Sequence, residues 1–196
     1  MNLKSLRWTC LLVVSTALAL GCSGGGGGGG DDGGGGVVPT TSCISFGSSF
    51  APAQSEVTLS KGGGSVCGVV VVDMVLTDVA DVFTVSFEAT FDPATAKYEG
   101  FSTSGSHLGS DGAQVQVLET IQAGKVSLGV GRVNTSTGVS FNGSQTVVKL
   151  MFSKAPGAGS GSSGGLGLDN GKVMGSEEPP VQKPGIAWRP GTLSIG

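Results

Sequence analysis

Apolar and polar positions alternate with a period of two through much of the chain after residue 37. The clearest case is residues 82–91, VFTVSFEATF. Phe83, Val85, Phe87, Ala89 and Phe91 fall on one side there, and Thr84, Ser86, Glu88 and Thr90 on the other. Side chains of a strand point to opposite faces in turn, so this run predicts a half-buried strand of an antiparallel sheet. Residues 67–79, CGVVVVDMVLTDV, are rich in β-branched Val, which also suits a strand. Further strands are predicted at 43–46, 98–102, 114–119, 125–133, 146–153 and 192–195. Turn signals separate them: Gly62-Gly63-Gly64, Asp92-Pro93, Asp111-Gly112, Ala123-Gly124, Asn142-Gly143 and Asn170-Gly171. No window repeats at i, i+3, i+4, i+7, and a single helical turn near 93–97 is the most helix the pattern allows. Many short strands in one domain-sized stretch, 37–196, predict an all-β sandwich or barrel.

The beginning of the chain follows another pattern. Lys4 and Arg7 precede an apolar run from Trp8 to Leu20, which has the layout of a secretory signal and is short for a membrane span. It ends in Leu18-Ala19-Leu20-Gly21-Cys22, which resembles the bacterial lipobox, where a small residue precedes a Cys that is acylated and becomes the mature N-terminus. An ordinary cleavage after Ala17-Leu18-Ala19 is the competing reading. The cysteines favour the first. Cys10 leaves with the signal, and acylation of Cys22 then leaves Cys43 and Cys67, an even number able to pair after export. Ser23 follows Cys22 in place of the Asp that holds enteric lipoproteins at the inner membrane, so the resemblance implies the outer membrane of the cell envelope. Residues 1–21 are thus expected to be a lipoprotein signal peptide. Residues 22–36, Gly apart from Cys22, Ser23, Asp31 and Asp32, are expected to be a flexible tether with a reach of about 20 Å.

Composition narrows the function. The 37 Gly are clustered, which excludes a collagen repeat. With 11 Lys+Arg against 14 Asp+Glu and a pI near 5.0, the chain does not read as a nucleic-acid binder. His107 is the only imidazole, which disfavours most acid–base and metal chemistry. Ser104, Ser106 and Asp111 stand close to it in sequence, but in a Gly/Ser loop without the rigid support a catalytic relay requires. Gly159–Gly164 fits GxGxxG formally, yet no helical pattern follows, and a flexible loop is expected. Asp73, Asp78, Asp81 and Asp92 suggest a calcium loop only by proximity, since no D-x-[DN]-x-[DN]-G spacing is present. No enzyme activity, cofactor or metal site is expected. Tyr98 and Trp188, the latter within PGIAWRPG, are the candidates for stacking on a sugar.

Residues 67–101 resemble the start of a cohesin domain. The likeness lies in a Val-rich strand, a short loop with Asp78-Val79-Ala80-Asp81, then VSFEATFDP with its Phe91-Asp92-Pro93 landmark, and Tyr98-Glu99-Gly100-Phe101. The runs GKVSLGVGRV at 124–133 and VVKLMF at 147–152 follow in the same order. The resemblance implies a jelly-roll-like antiparallel sandwich of about nine strands over 37–196. It also implies a module that binds a dockerin-like or other surface protein; the anchor, the tether and the lack of a convergent reactive constellation add the expectation that this module is non-catalytic and surface-displayed. Attachment to polysaccharide is the alternative, because some carbohydrate-binding modules share this architecture.

Overall fold

The computed structural model describes residues 42–196. The expected signal peptide, Cys22 and the Gly-rich tether lie outside the described residues. In chain order the strands are β1 (Ile44–Gly47), β2 (Glu56–Lys61), β3 (Val69–Val82), β4 (Thr84–Phe91), β5 (Ala96–Ser102), β6 (Gln114–Gln122), β7 (Lys125–Val133), β8 (Val139–Lys154), β9 (Ser163–Met174), β10 (Ala187–Trp188) and β11 (Gly191–Ile195). They form two sheets, ordered β1-β11-β9-β4-β7-β6 and β10-β2-β3-β8-β5. Every ladder is antiparallel except the two-residue contact of β10 with β2. The all-β sandwich read from the periodicity is the fold of the domain.

The core lies between the sheets and is built from period-two positions. Val70, Val72, Met74 and Leu76 of β3 are fully buried, as are Val148, Leu150 and Phe152 of β8. Val85, Phe87 and Ala89 of β4 and Val126, Leu128 and Val130 of β7 meet them from the other sheet. Phe152 receives the edges of Phe91 and Tyr98 at ring distances of 5.4 and 5.6 Å. Such tilted aromatic pairs add to plain area burial. Phe83 departs from the predicted pattern, lying half-buried just before β4 begins.

Several predicted breaks are absorbed into strands as bulges. Asp78 and Asp81, expected in a loop, sit within β3 at φ +51°. The pairing of β3 with β8 shifts register on both sides of Val79. Asn142-Gly143, read as a turn, lies inside β8 at one of these shifts, and the Gly143 N–H donates to Asp78 Oδ1 at 2.6 Å. Asn and Asp tolerate the left-handed region better than most residues, so the letters that signal a turn also suit a bulge. The helical turn expected near 93–97 is a tight turn. Asp92 accepts the N–H groups of Thr95 and Ala96 on its carbonyl and that of Ala94 on its carboxylate. The one helical element of the described residues is the 3-10 turn at His107–Gly109.

Three strands escaped the periodicity: β2, β9 and the two-residue β10. β2 is short, and its central Val57, Thr58 and Leu59 are all buried. β9, SGGLGLDNGKVM, contains the end of the Gly-rich stretch expected to be a loop and occupies an interior position between β11 and β4. Its Leu166, Leu168 and Val173 point into the core.

Cys43 and Cys67 form the expected disulfide, with Cα atoms 4.5 Å apart. It joins the residue before β1 in one sheet to the approach to β3 in the other. The Ile44 N–H donates to the Cys67 carbonyl beside it. Closing a loop with a sequence separation of 24 removes unfolded-chain entropy worth about 3 kcal/mol. The double variant Cys43→Ser, Cys67→Ser is predicted to lose about that much stability in urea unfolding while keeping the fold. A loss below about 1 kcal/mol would contradict this account of the staple.

Candidate functional site

The aromatic residues singled out for sugar stacking do not form an open platform. Tyr98 is a core residue, 8% exposed, and its hydroxyl donates to Glu119 Oε1 at 2.7 Å. Burial, then the neighbouring carboxylate, pushes the phenol well above its usual range. Trp188 closes the side of the sandwich. It packs partly buried against the core, with its ring 6.3 Å from that of Phe87. The backbone of Gly171 lies against the indole so closely that a Cβ there would overlap the ring.

The more open surface is the outer face of the six-stranded sheet. Register sets out its rows. Lys172, Ser86, Gly129 and Leu118 lie side by side across β9, β4, β7 and β6. Asp169, Glu88, Ser127 and Thr120 form the next row in the same strand order. The floor is therefore small residues, Ser86, Gly129 and Ser127, around the larger side chain of Glu88, and nothing stands within 4 Å of where a Cβ of Gly129 would be. Leu118 on β6 and Asn170 with Lys172 on β9 border a shallow, open groove of about 640 Å³. Leu118 is 70% exposed, so an apolar wall is left facing water.

Glu88 is the polar centre of this groove. Lys125 Nζ and Ser127 Oγ both donate to its Oε1 at 3.2 Å, and Asn170 Nδ2 donates to Oε2 at 2.7 Å. Asn170 first and Lys125 next hold the carboxyl below its ordinary range. Asn170 reaches it because β9 bulges here. Ser86 pairs with Lys172 but Glu88 with Asp169, which leaves Asn170 and Gly171 opposite the single residue Phe87. Asn170 adopts φ +52° at that bulge. The sequence marked these outward positions of β4 only as polar. Gly129, Leu118 and Asn170 carried no signal of function, although Lys125, Ser127, Gly129 and Gly131 alternate with buried residues in β7.

The other chemical candidates are held in separate structural roles. His107 Nε2 lies 3.1 Å from the Ser140 carbonyl, with its ring edge-on to Phe141. Ser106 Oγ donates to the Val147 carbonyl at 2.6 Å, and Asp111 accepts from the fully buried guanidinium of Arg132 at 2.6 Å. Ser106, His107 and Asp111 therefore do not assemble a Ser–His–Asp relay among the described residues. Of the four Asp considered for calcium, Asp73 faces Lys149 at 3.7 Å and Asp92 caps its own turn. Asp78 and Asp81 hold bulges. Gly159–Gly164 leads through turns into β9, with no helix after it.

Asp81 anchors the segment that follows β9. Ser176 donates to it through both Oγ, at 2.6 Å, and its N–H, at 3.1 Å, and Lys183 Nζ donates at 3.0 Å. Led by the Ser176 hydroxyl, these contacts lower its carboxyl to about 2.

No family model matches the sequence, and no curated protein matches it. Solved cohesin structures do resemble it. The third cohesin of ScaC from Acetivibrio cellulolyticus, solved with the ScaB dockerin, has a TM-score of 0.53 at 15% identity, covering 70% of this chain and 95% of that one. The sixth cohesin of scaffoldin B from the same organism, also solved with a dockerin, gives 0.52 at 16% identity over 70% and 95%. The seventh type I ScaB cohesin of Pseudobacteroides cellulosolvens gives 0.51 at 15% over 70% and 88%. The likeness is one of fold. The described domain is a cohesin-like β-sandwich.

The Asp81 contacts generate a pH-dependent prediction. A carboxyl with a lowered folded pKa contributes stability that is present above its unfolded value, near 3.8, and is lost as pH falls through about 2. Asp81→Asn keeps a residue that accepts positive φ but removes the charge. It is predicted to lower stability by about 1 kcal/mol at pH 7, discounted because the pair is partly exposed. The gap between variant and parent should then shrink from about pH 4 downward and close near pH 2. Thermal unfolding followed by circular dichroism across that range checks it. A gap that stays constant from pH 7 to 2 would contradict the assignment.

Proposed function

We propose that this chain is a non-catalytic recognition module, and that a protein partner docks on the outer face of β9, β4, β7 and β6. The observation that carries the reading is the groove itself. Its floor has few protruding side chains, its apolar wall is Leu118, and its central carboxylate, Glu88, is fixed by Lys125, Ser127 and Asn170 before any partner arrives. Side chains that are already ordered have little freedom left to lose on association. Two of the cohesins above were solved with dockerins, so a dockerin-like module is the first partner class to consider. A polysaccharide ligand lacks the stacking platform that motivated it, because Tyr98 is buried and Trp188 is packed on Gly171.

The proposal extends to display. Acylation at Cys22, with residues 22–36 as spacer, holds the module on the cell envelope at the outer membrane, where its groove faces exported proteins. A single acyl chain holds only marginally, so full lipoprotein modification with several chains is required.

Two experiments address these claims. Immobilised full chain is predicted to capture a partner from the host's exported proteins. Gly129→Arg, which fills the floor from an open position, should weaken capture at least about tenfold, as expected for the centre of an interface. Lys61→Glu, on the other sheet, should leave it unchanged. Equal capture by all three, or binding only to a polysaccharide array, would overturn the docking face. Separately, Cys22→Ser is predicted to release the protein from the membrane fraction or to stall its processing. Normal maturation with unchanged membrane retention would overturn acylation.

A further inference from the structure

The edges of the two sheets are protected unequally. β1 has only four residues and β10 only two. β5 carries Lys97 and Glu99 and shifts register next to Gly100. β6 is different. It runs nine residues, QVQVLETIQ, pairs with β7 without a register shift, and borders the sheet with no strand on its other side among the described residues. It contains no Lys, Pro or bulge, which are the usual means of keeping an edge from pairing. Its one charge, Glu119, is engaged by the Tyr98 hydroxyl. Leu118 and Ile121, 70% and 60% exposed, are two of the largest apolar side chains left in water among the described residues.

The sequence of β6 is close to self-complementary when reversed about Leu118. Antiparallel pairing of two copies at that centre sets Leu118 against Leu118, Val115 against Ile121, Gln116 against Thr120 and Gln114 against Gln122. Val117 meets Glu119, and no two charged residues stand directly opposite each other. Leu118 thus covers Leu118 on one face and Val115 covers Ile121 on the other, pairs that cross-strand packing favours, while Val117 opposite Glu119 is the one mismatch. We propose that β6 is a self-association edge, on which a second copy of this chain adds its own β6 antiparallel about a twofold axis at Leu118. The pairing is isologous, so it closes at two copies and does not propagate through this edge. The inference rests on the fold and the edge alone, independently of any docked partner.

Cysteine pairing tests both the partner and the register, using the full chain purified in detergent without any other protein. Opposed Cα atoms in an antiparallel ladder lie about 4.5–5.5 Å apart, within disulfide reach. Leu118→Cys should therefore link to itself on mild oxidation and give a band of doubled mass. Gln116→Cys should not, because its own copies would stand about 14 Å apart. Gln116→Cys mixed with Thr120→Cys should link. Sedimentation velocity of the parent at about 100 μM, where an association of micromolar strength is nearly complete, should show doubled mass, and Leu118→Lys should return it to the monomer. Position 118 is exposed, and circular dichroism of each variant verifies that the sandwich is retained. Four results would overturn the proposal: a monomeric parent with no Leu118→Cys link, equal linking at 116 and 118, a dimer indifferent to Leu118→Lys, or a link only to a different chain once exported host proteins are added.

Discussion

Opposite Phe87, β9 presents two residues where one would keep register, and the extra residue is accommodated on both faces of the sheet. Inward, Gly171 gives the indole of Trp188 a flat backbone to lie on, which closes the sandwich beside Phe87. Outward, Asn170 turns toward Glu88 and fixes its carboxylate on the floor of the groove. A Cβ at 171 would collide with the ring, so the bulge requires glycine there for steric reasons. The same local distortion thus completes the core and shapes the surface. A regular β9 would move Asn170 away from Glu88 and the backbone of Gly171 away from Trp188.

The two carboxylates of this face, Glu88 and Asp169, are present without being free. Glu88 uses both oxygens within its own sheet, and Thr90 Oγ1 donates to Asp169 at 3.0 Å. Such exposed pairs contribute little to folding. Their consequence is order: polar groups of a recognition surface are held in one geometry on rigid strands, which suits a site better than a mobile loop. Arg132 does the comparable work at one end of the sandwich. Its buried guanidinium donates to the carbonyls of Leu108 and Thr137 and to Asp111, tying two loops to β7.

Much of the fold was legible because a half-buried strand writes its burial directly into alternating residues. β4, β7 and the inner side of β3 show this most clearly. β9 was missed because its outward and turn-like positions are glycine. Its signal is also divided: Leu166 and Leu168 keep one parity and Val173 the other, since the bulge between them flips the face. β2 was missed because it is short: EVTLSK alternates, but only two apolar residues, Val57 and Leu59, mark its inner side. The groove had no signature of its own. A floor of Ser and Gly reads as the solvent side of any sheet, and only the pairing register places Gly129 beside Leu118 and Glu88 beside Ser127. Trp188 looked exposed amid Pro and Gly, yet the packing that half-buries it comes from a distant strand.

The central claim is that recognition uses this register-built face and leaves the face of the other sheet free. Backbone amide chemical-shift mapping by NMR, with the captured partner titrated into isotope-labelled chain, tests it most directly. The account predicts that the largest shifts fall on Ser86, Glu88, Leu118, Ser127, Gly129 and Asn170, with Asp73, Lys149 and Met151 of the second sheet unmoved. Shifts concentrated on β3 and β8, with the β4–β7 floor unchanged, would contradict it.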